Sequence, residues 1–272
     1  MLIPLKEAGY SPFLINPLSE KGERPLPLVS VITVCLNNIS GIEKTVQSVF
    51  KQNYSKIEYI IIDGGSTDGT VEVIRRYQSR VKFWVSEKDL GISDGFNKGF
   101  GKANGDYIAF LNSGDYYLDE HSIENLVNSA DGFEVIYGGI HYQRSYKPEV
   151  YPKGVTDESY WVRGSIPHQS AITSRKVFDK IGTFKLSLKY CMDYELFYRA
   201  YEAGFKFRAI PLLICSVSCE GVSTISWKAQ LDEFKKIQKE RGASSFSVEF
   251  YYFKRFVKML IYYTLVRLKL LK

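Results

Sequence analysis

The chain of 272 residues is 45% hydrophobic and 24% charged, which excludes a disordered polypeptide and leaves room for one large domain with additions or two small ones. Its formal net charge of +6 is local: Phe250 to Lys272 holds Lys254, Arg255, Lys258, Arg267, Lys269 and Lys272 and no Asp or Glu, and no nucleic-acid partner is expected. Cys35, Cys191, Cys215 and Cys219 match neither a disulfide framework nor a pair of CxxC ligand sets, which predicts reduced thiols in a cytosolic setting. Cys215 and Cys219 form at most half a metal site, because no histidine lies at ligand spacing from them.

Residues 1–27 are irregular and proline-rich and read as an extension. No basic segment followed by a long apolar core opens the chain, and no run of about 18 apolar residues occurs, so neither a secretory signal nor a spanning helix is expected. Strand Val29–Cys35 comes first, followed by a helix opening near Ser40, with Ser40 and Glu43 as its capping box. A strand at 57–62, a helix from Thr70, a strand at 81–85 and a helix after Gly91 continue the alternation. The run Tyr107-Ile-Ala-Phe-Leu-Asn-Ser-Gly-Asp115 then delivers one carboxylate to the C-terminal end of a strand, where open α/β sheets build their sites. Beyond it come a helix at 119–129, strand-like runs at 133–139, 168–173 and 205–214, a helix at 192–203 and two helical stretches. Strands and helices alternating at this spacing predict an α/β/α sandwich on a mixed, mainly parallel sheet.

Four segments carry a resemblance: Val29-Ser-Val-Ile-Thr-Val, Ile62-Asp-Gly-Gly-Ser-Thr-Asp-Gly-Thr70, Ser86-Glu-Lys-Asp-Leu-Gly-Ile-Ser-Asp-Gly-Phe-Asn-Lys-Gly99 and Gly105 to Asp115. In order and spacing they resemble the nucleotide-sugar half of the family 2 inverting glycosyltransferases of GT-A fold, most like bacterial enzymes that assemble exopolysaccharide or O-antigen units. Pro167-His-Gln-Ser-Ala-Ile and Met192-Asp-Tyr-Glu-Leu-Phe-Tyr-Arg199 resemble the acceptor-side segments of that family. The resemblance implies a catalytic domain at 28–225, with a donor half at 28–116 and an acceptor half at 117–225, and leaves 226–272 as a C-terminal helical extension.

The implied reaction moves a hexosyl or N-acetylhexosaminyl group from a nucleotide-sugar, expected to be a UDP-sugar, to a saccharide or polyprenyl-diphosphate-linked acceptor. Charge building on the departing nucleotide diphosphate is offset by a divalent cation, Mg²⁺ or Mn²⁺, which favours carboxylate oxygen. Asp115 corresponds to the family's metal-binding position, and Asn112 stands where the other aspartate of a D-x-D motif would be. Read alone, Asn-Ser-Gly-Asp is also an ordinary turn. The resemblance assigns Thr33, Asp63 and Gly64 to the donor pocket. Asp63 is an acceptor suited to a uracil N–H, the resemblance implying a nucleobase or ribose contact, and Gly64 lets backbone approach the ligand. Glu87, Asp94, Asn97 and Lys98 are implied to face the donor as well, Asp94 sharing one helical face with Asn97 and Lys98. The alternative for Lys98 is a solvated i,i+4 pair.

Inversion needs a base on the face opposite the leaving group, and Asp193 occupies the family's catalytic position. Glu195 lies about 200° further round a helix, so the two cannot both line the site, and a pair with Arg199 is expected for it. His168 is either a diphosphate or metal contact or a polar residue starting a strand. Tyr160 and Trp161 either stack on an acceptor sugar or belong to the core. On a helical wheel most cations of the tail share one arc while Met259 to Val266 is uncharged, which reads either as an interfacial helix on the inner face of the cell membrane or as a terminal helix packed on the domain. Two other classes compete: another nucleotide-dependent transferase, disfavoured because Leu36-Asn-Asn-Ile-Ser-Gly41 supplies neither G-x-G-x-x-G nor a basic phosphate loop, and an inactive sugar-binding homologue, disfavoured by retention of Asp115 and Asp193.

Overall fold

The computed structural model describes residues 25–143, 149–155, 161, 166–218, 227–242 and 244–267. Most of the expected N-terminal extension, Tyr160, Cys219, Lys269 and Lys272 lie outside them. A sheet in the order β3-β2-β1-β4-β8-β6-β9-β5, with β7 paired to β6, forms the centre. Its first four strands, β1 (Val29–Cys35), β2 (Ile57–Asp63), β3 (Phe83–Ser86) and β4 (Tyr107–Phe110), are parallel neighbours. Past β4 the sheet becomes mixed. Strand β8 (Ala171–Ser174) runs antiparallel to both β4 and β6 (Val135–Tyr142), and β6 pairs in parallel with β9 (Phe207–Val217). The short β5 (Tyr116–Tyr117) and β7 (Glu149–Val150) pair antiparallel with β9 and β6.

Strands covered on both faces must be apolar at consecutive positions, and every residue of β1 is buried. Ile32, Val34, Ile60 and Ile62 face one core with Phe96, whereas Val31 and Ile61 face the other with Ile42, Val46 and Ile74. Helices α1 (Ile39–Phe50), α2 (Thr70–Arg76), α3 (Ile92–Phe100), α4 (Ser122–Asn128), α5 (Arg175–Ile181) and α6 (Met192–Glu202) cover these faces. The predicted capping box at Ser40 and Glu43 is corrected. Helix α1 starts at Ile39, and the Asn38 carboxamide accepts from Gly41 N at 3.0 Å. Glu43 instead accepts from Tyr77 Oη and pairs with Arg76. The strand predicted at 168–173 begins only at Ala171, because His168–Ser170 forms a 3₁₀ turn.

The tail forms α7 (Trp227–Glu240) and α8 (Ser245–Arg267). Leu231, Phe234 and Ile237 of α7 join the core that holds α6, and Val248 and Tyr252 anchor α8 against it. Within an arc of about 100° on the other side of the α8 wheel, Phe246, Phe250, Phe253, Leu260 and Ile261 are exposed. One helix therefore packs on the domain and presents an apolar stripe outward. Among the described residues, no helix is long and apolar enough to cross a membrane.

Candidate active site

The parallel register brings the C-terminal ends of four strands to one edge, with Cys35 beside Asp63 and Asp63 beside Ser86, so the loops after them line a single crevice. Two of these loops are laced together. Asn37, at φ +48°, donates its N–H to Ser66 Oγ at 2.7 Å and accepts from Thr67 N at 2.9 Å. Asn38 N donates to Thr70 Oγ1, and Ile39 N to the Asp68 carboxylate.

Asp63 is central to this lacing. Its carboxylate accepts from Gly65 N at 3.1 Å, Ser66 N at 2.8 Å, Ser86 Oγ at 2.6 Å, Ser66 Oγ and Cys35 Sγ. Burial pushes this carboxyl up, yet the hydrogen bonds from Ser66, Ser86 and Cys35 outweigh that and hold it below the usual carboxylate range. Five donors converge on its two oxygens, so Asp63 shapes the loop on which a base contact would be made. Thr33 is likewise fully buried, its hydroxyl accepting from Tyr59 Oη at 2.9 Å. Asn97 pairs with the backbone of Phe184, donating to its oxygen at 2.9 Å and accepting from its nitrogen at 3.0 Å. Thr33 and Asn97 therefore support the crevice wall rather than line it.

Gly64, Glu87, Asp94 and Lys98 stay at the rim. A Cβ on Gly64 would meet the Asp89 carboxylate at 2.8 Å, so a larger residue there would displace that side chain. Lys98 reaches Glu87 at 2.8 Å and Asp94 at 3.2 Å, so the expected i,i+4 pair exists and is drawn into a triad. A cleft of about 410 Å³ opens beside Glu87 and Lys98.

The second cluster joins residues distant in sequence. His168 Nδ1 lies 2.9 Å from Asp193 Oδ2 and Nε2 lies 3.2 Å from Asn112 Nδ2. An ionised carboxylate only accepts, so Nδ1 carries the ring proton and Nε2 accepts from the amide. The Asn112–Asp115 loop is held from α1: Asn38 Nδ2 donates to Ser113 O, and Thr45 Oγ1 accepts from Gly114 N at 2.9 Å while donating to Asp115 O at 2.7 Å. Gly114 has φ +97°, and a Cβ on Gly41 would meet its Cα at 2.8 Å, so both positions demand glycine.

Asp115 is buried, accepting from Ser218 N at 2.8 Å and from the Gln169 side chain. Burial pushes its carboxyl up to about 6. Beside it, Asn112 Oδ1 and Ser113 Oγ are buried without a hydrogen-bond partner. An underbalanced carboxylate next to an orphaned amide oxygen is a hard, oxygen-only donor set, the kind Mg²⁺ or Mn²⁺ takes. Among the described residues, no group of three or more His, Cys, Asp or Glu could hold a metal. These residues fit a cation that draws the rest of its ligands from a bound phosphate.

Glu195 points away from this cluster, as its helical position predicts. It pairs with Arg199 at 2.9 Å, Lys185 at 2.7 Å and Arg241 at 3.0 Å. Trp161 is core, stacked on Tyr198 at 5.3 Å. Asn38, Thr45, Gln169 and Ser218 escaped sequence reasoning, since nothing in a turn asparagine or a helical threonine announces a contact about 70 residues away. Glu233 escaped it too. From α7 it accepts from Lys189, Tyr190 and Cys191 N–H at 2.8–3.0 Å, capping α6, whose Cys191 offers no side-chain cap.

The sequence model of the family described as glycosyl transferase family 2 matches residues 30–193, more than half of the chain, from β1 to Asp193. The chain belongs to glycosyl transferase family 2. This glycosyltransferase is 31% identical over 205 residues to an uncharacterized glycosyltransferase of Mycobacterium tuberculosis, covering 71% of this chain and 74% of the relative. Over a shorter stretch of 92 residues it is 41% identical to TuaG of Bacillus subtilis, a protein named for teichuronic acid biosynthesis, covering 33% of this chain and 36% of that one. Among solved structures it resembles the mannosyltransferase PcManGT of Pyrobaculum calidifontis, in complex with GDP-Man and Mn²⁺, with a TM-score of 0.64 and 16% identity over 80% of this chain. It also resembles S. aureus TarS in complex with UDP-GlcNAc, with a TM-score of 0.63 and 17% identity over 78% of this chain. The chain spans 64% of either structure, and the likeness establishes the GT-A fold of this family 2 glycosyltransferase.

Proposed function

We propose that the protein is an inverting, cation-dependent glycosyltransferase that moves a sugar from a UDP-sugar to a saccharide or lipid-linked acceptor during assembly of a bacterial surface polysaccharide. The observation that supports this reading best is the joining of Asp193 to the Asn112–Asp115 loop through one imidazole. A candidate base and a candidate cation site then border the same space. When bound at Asp115 and Asn112, Mg²⁺ or Mn²⁺ would offset the charge of the leaving diphosphate. Glu87, Asp94 and Lys98 line the donor rim, and Asp193 Oδ2 takes the proton of the acceptor hydroxyl as that oxygen attacks the anomeric carbon from the opposite face. The UDP-GlcNAc bound by TarS and the name of TuaG favour the donor and the pathway class. Incubating the protein with a panel of nucleotide sugars and Mn²⁺ tests the assignment. UDP should be released from one UDP-sugar and the release abolished by EDTA; turnover restricted to GDP-sugars would overturn the donor, and none with any donor would overturn the enzyme.

Residues 28–225 would carry the catalysis, 28–116 for donor and 117–225 for acceptor, with 226–272 meeting the inner face of the cell membrane. The exposed stripe of Phe246, Phe250, Phe253, Leu260 and Ile261, flanked by Lys254, has the chemistry of an interfacial helix. Co-sedimentation with phosphatidylglycerol vesicles should be strong and should fall about tenfold on Phe250→Ser/Phe253→Ser, a loss set by apolar burial. Equal partitioning of the two proteins would remove the membrane role.

A further inference from the structure

We propose that His168 is a positioning residue, which fixes the Asp193 carboxylate through Nδ1 and ties it to the end of β4 through Asn112. The proposal rests on Asp193 being the base and adds what holds that base in place. His168 is 7% exposed and its ring meets Phe96 edge-on at 5.6 Å. Its backbone is equally confined. Ser170 N donates to Pro167 O, and Ser170 Oγ donates to Gly138 O at 2.8 Å, which pins the 3₁₀ turn to β6.

Both ring nitrogens are occupied by protein, one by Asp193 and one by Asn112. No nitrogen is left for a phosphate or a cation, so the diphosphate or metal contact is not the role this geometry supports. Asp193, by contrast, needs a strut. It sits in the first turn of α6 with its side chain 22% exposed, and among the described residues its other hydrogen bond is Oδ1 accepting from Tyr194 N at 2.8 Å. With Oδ2 held by His168, the carboxylate plane is fixed and one lone pair of each oxygen stays open to an acceptor hydroxyl. Because Asn112 also belongs to the loop that carries Asp115, the strut sets the spacing between the two halves of the site. Misplacing a reacting group by about 1 Å costs on the order of 10²-fold in rate.

Two substitutions separate the ring nitrogens. Asparagine places an N–H where Nδ1 stands, and glutamine places its carboxamide where Nε2 stands. His168→Ala should lower kcat by about 10²-fold, His168→Asn should recover part of that loss by restoring the bond to Asp193 without the one to Asn112, and His168→Gln should recover less. Binding of UDP with Mn²⁺, followed by calorimetry, should be unchanged in all three, which also reports that they fold. Rescue by Gln and not Asn, or loss of UDP binding in folded His168→Asn, would overturn the proposal in favour of a donor contact. Wild-type kcat in His168→Ala would overturn it outright. Failure of the underlying reading is distinct: Asp193→Asn would then turn over normally, whereas failure of this inference alone leaves Asp193→Asn inactive and His168→Asn no better than His168→Gln.

Discussion

Asp193→Asn is expected to lower kcat by about 10³-fold, within the range a general base contributes, with UDP affinity within twofold of wild type. Asparagine preserves the shape of the side chain, and its Oδ1 can still accept from His168 Nδ1–H, so the strut and the fold survive. What is lost is the ability to take a proton. Asp193 lies at the start of α6, which Glu233 caps from outside, and its hydrogen bonds among the described residues are to His168 and to Tyr194 N. The loss therefore belongs to kcat and not to donor binding. Single-turnover rates at saturating UDP-sugar check this; a variant with unchanged chemistry would remove Asp193 as the base, and one that failed to bind UDP would place it in the donor pocket.

Asp115→Asn should show the opposite pairing of effects, a more stable protein that has lost cation-dependent donor binding. Burial raises the Asp115 carboxyl from 3.8 to about 6, so the folded chain binds this proton more tightly than the unfolded chain. That favourable contribution is complete below about pH 4 and is lost as pH rises through about 6, leaving a buried charge at neutrality. A shift of about two units corresponds to roughly 2–3 kcal/mol. Asparagine still accepts from Ser218 N and carries no charge, so urea denaturation at pH 7 should show a gain of about 2 kcal/mol that vanishes near pH 4. Mn²⁺ with UDP should stabilise the wild type and not the variant. A variant less stable than wild type at pH 7 without metal would show that the carboxylate is already balanced by the protein.

The strands were legible because burial on both faces leaves an uninterrupted apolar run that only its turn residues interrupt, as in β1 and β2. Helix geometry alone also separated Asp193 from Glu195, since about 200° of rotation sends the second carboxylate to Arg199 and Arg241. What a polar residue in a crevice does was not legible. Asp63 looks like a ligand acceptor in sequence, and its spacing gives no sign that Ser66 and Ser86 also donate to it. Asn97 looks like part of a donor-facing helix, yet it mates with Phe184, 87 positions away. Both facts depend on which backbone comes to lie alongside, information carried by packing and not by spacing. His168 and Asp193 were each visible in their own segment, but their contact belongs to the meeting of the 3₁₀ turn with α6. The shifted cap has the same origin, because Asn38 serves α1 and the Ser113 carbonyl together.

In the proposed mechanism Asp115 and Asp193 face one reaction centre from two sides. Anomalous diffraction from a crystal grown with Mn²⁺ and UDP addresses it most directly. One peak is expected within coordinating distance of the Asp115 carboxylate, bridged by the diphosphate, with the Asp193 carboxylate across an open sugar-sized gap. A peak away from Asp115, or a diphosphate whose terminal oxygen points away from Asp193, would contradict it.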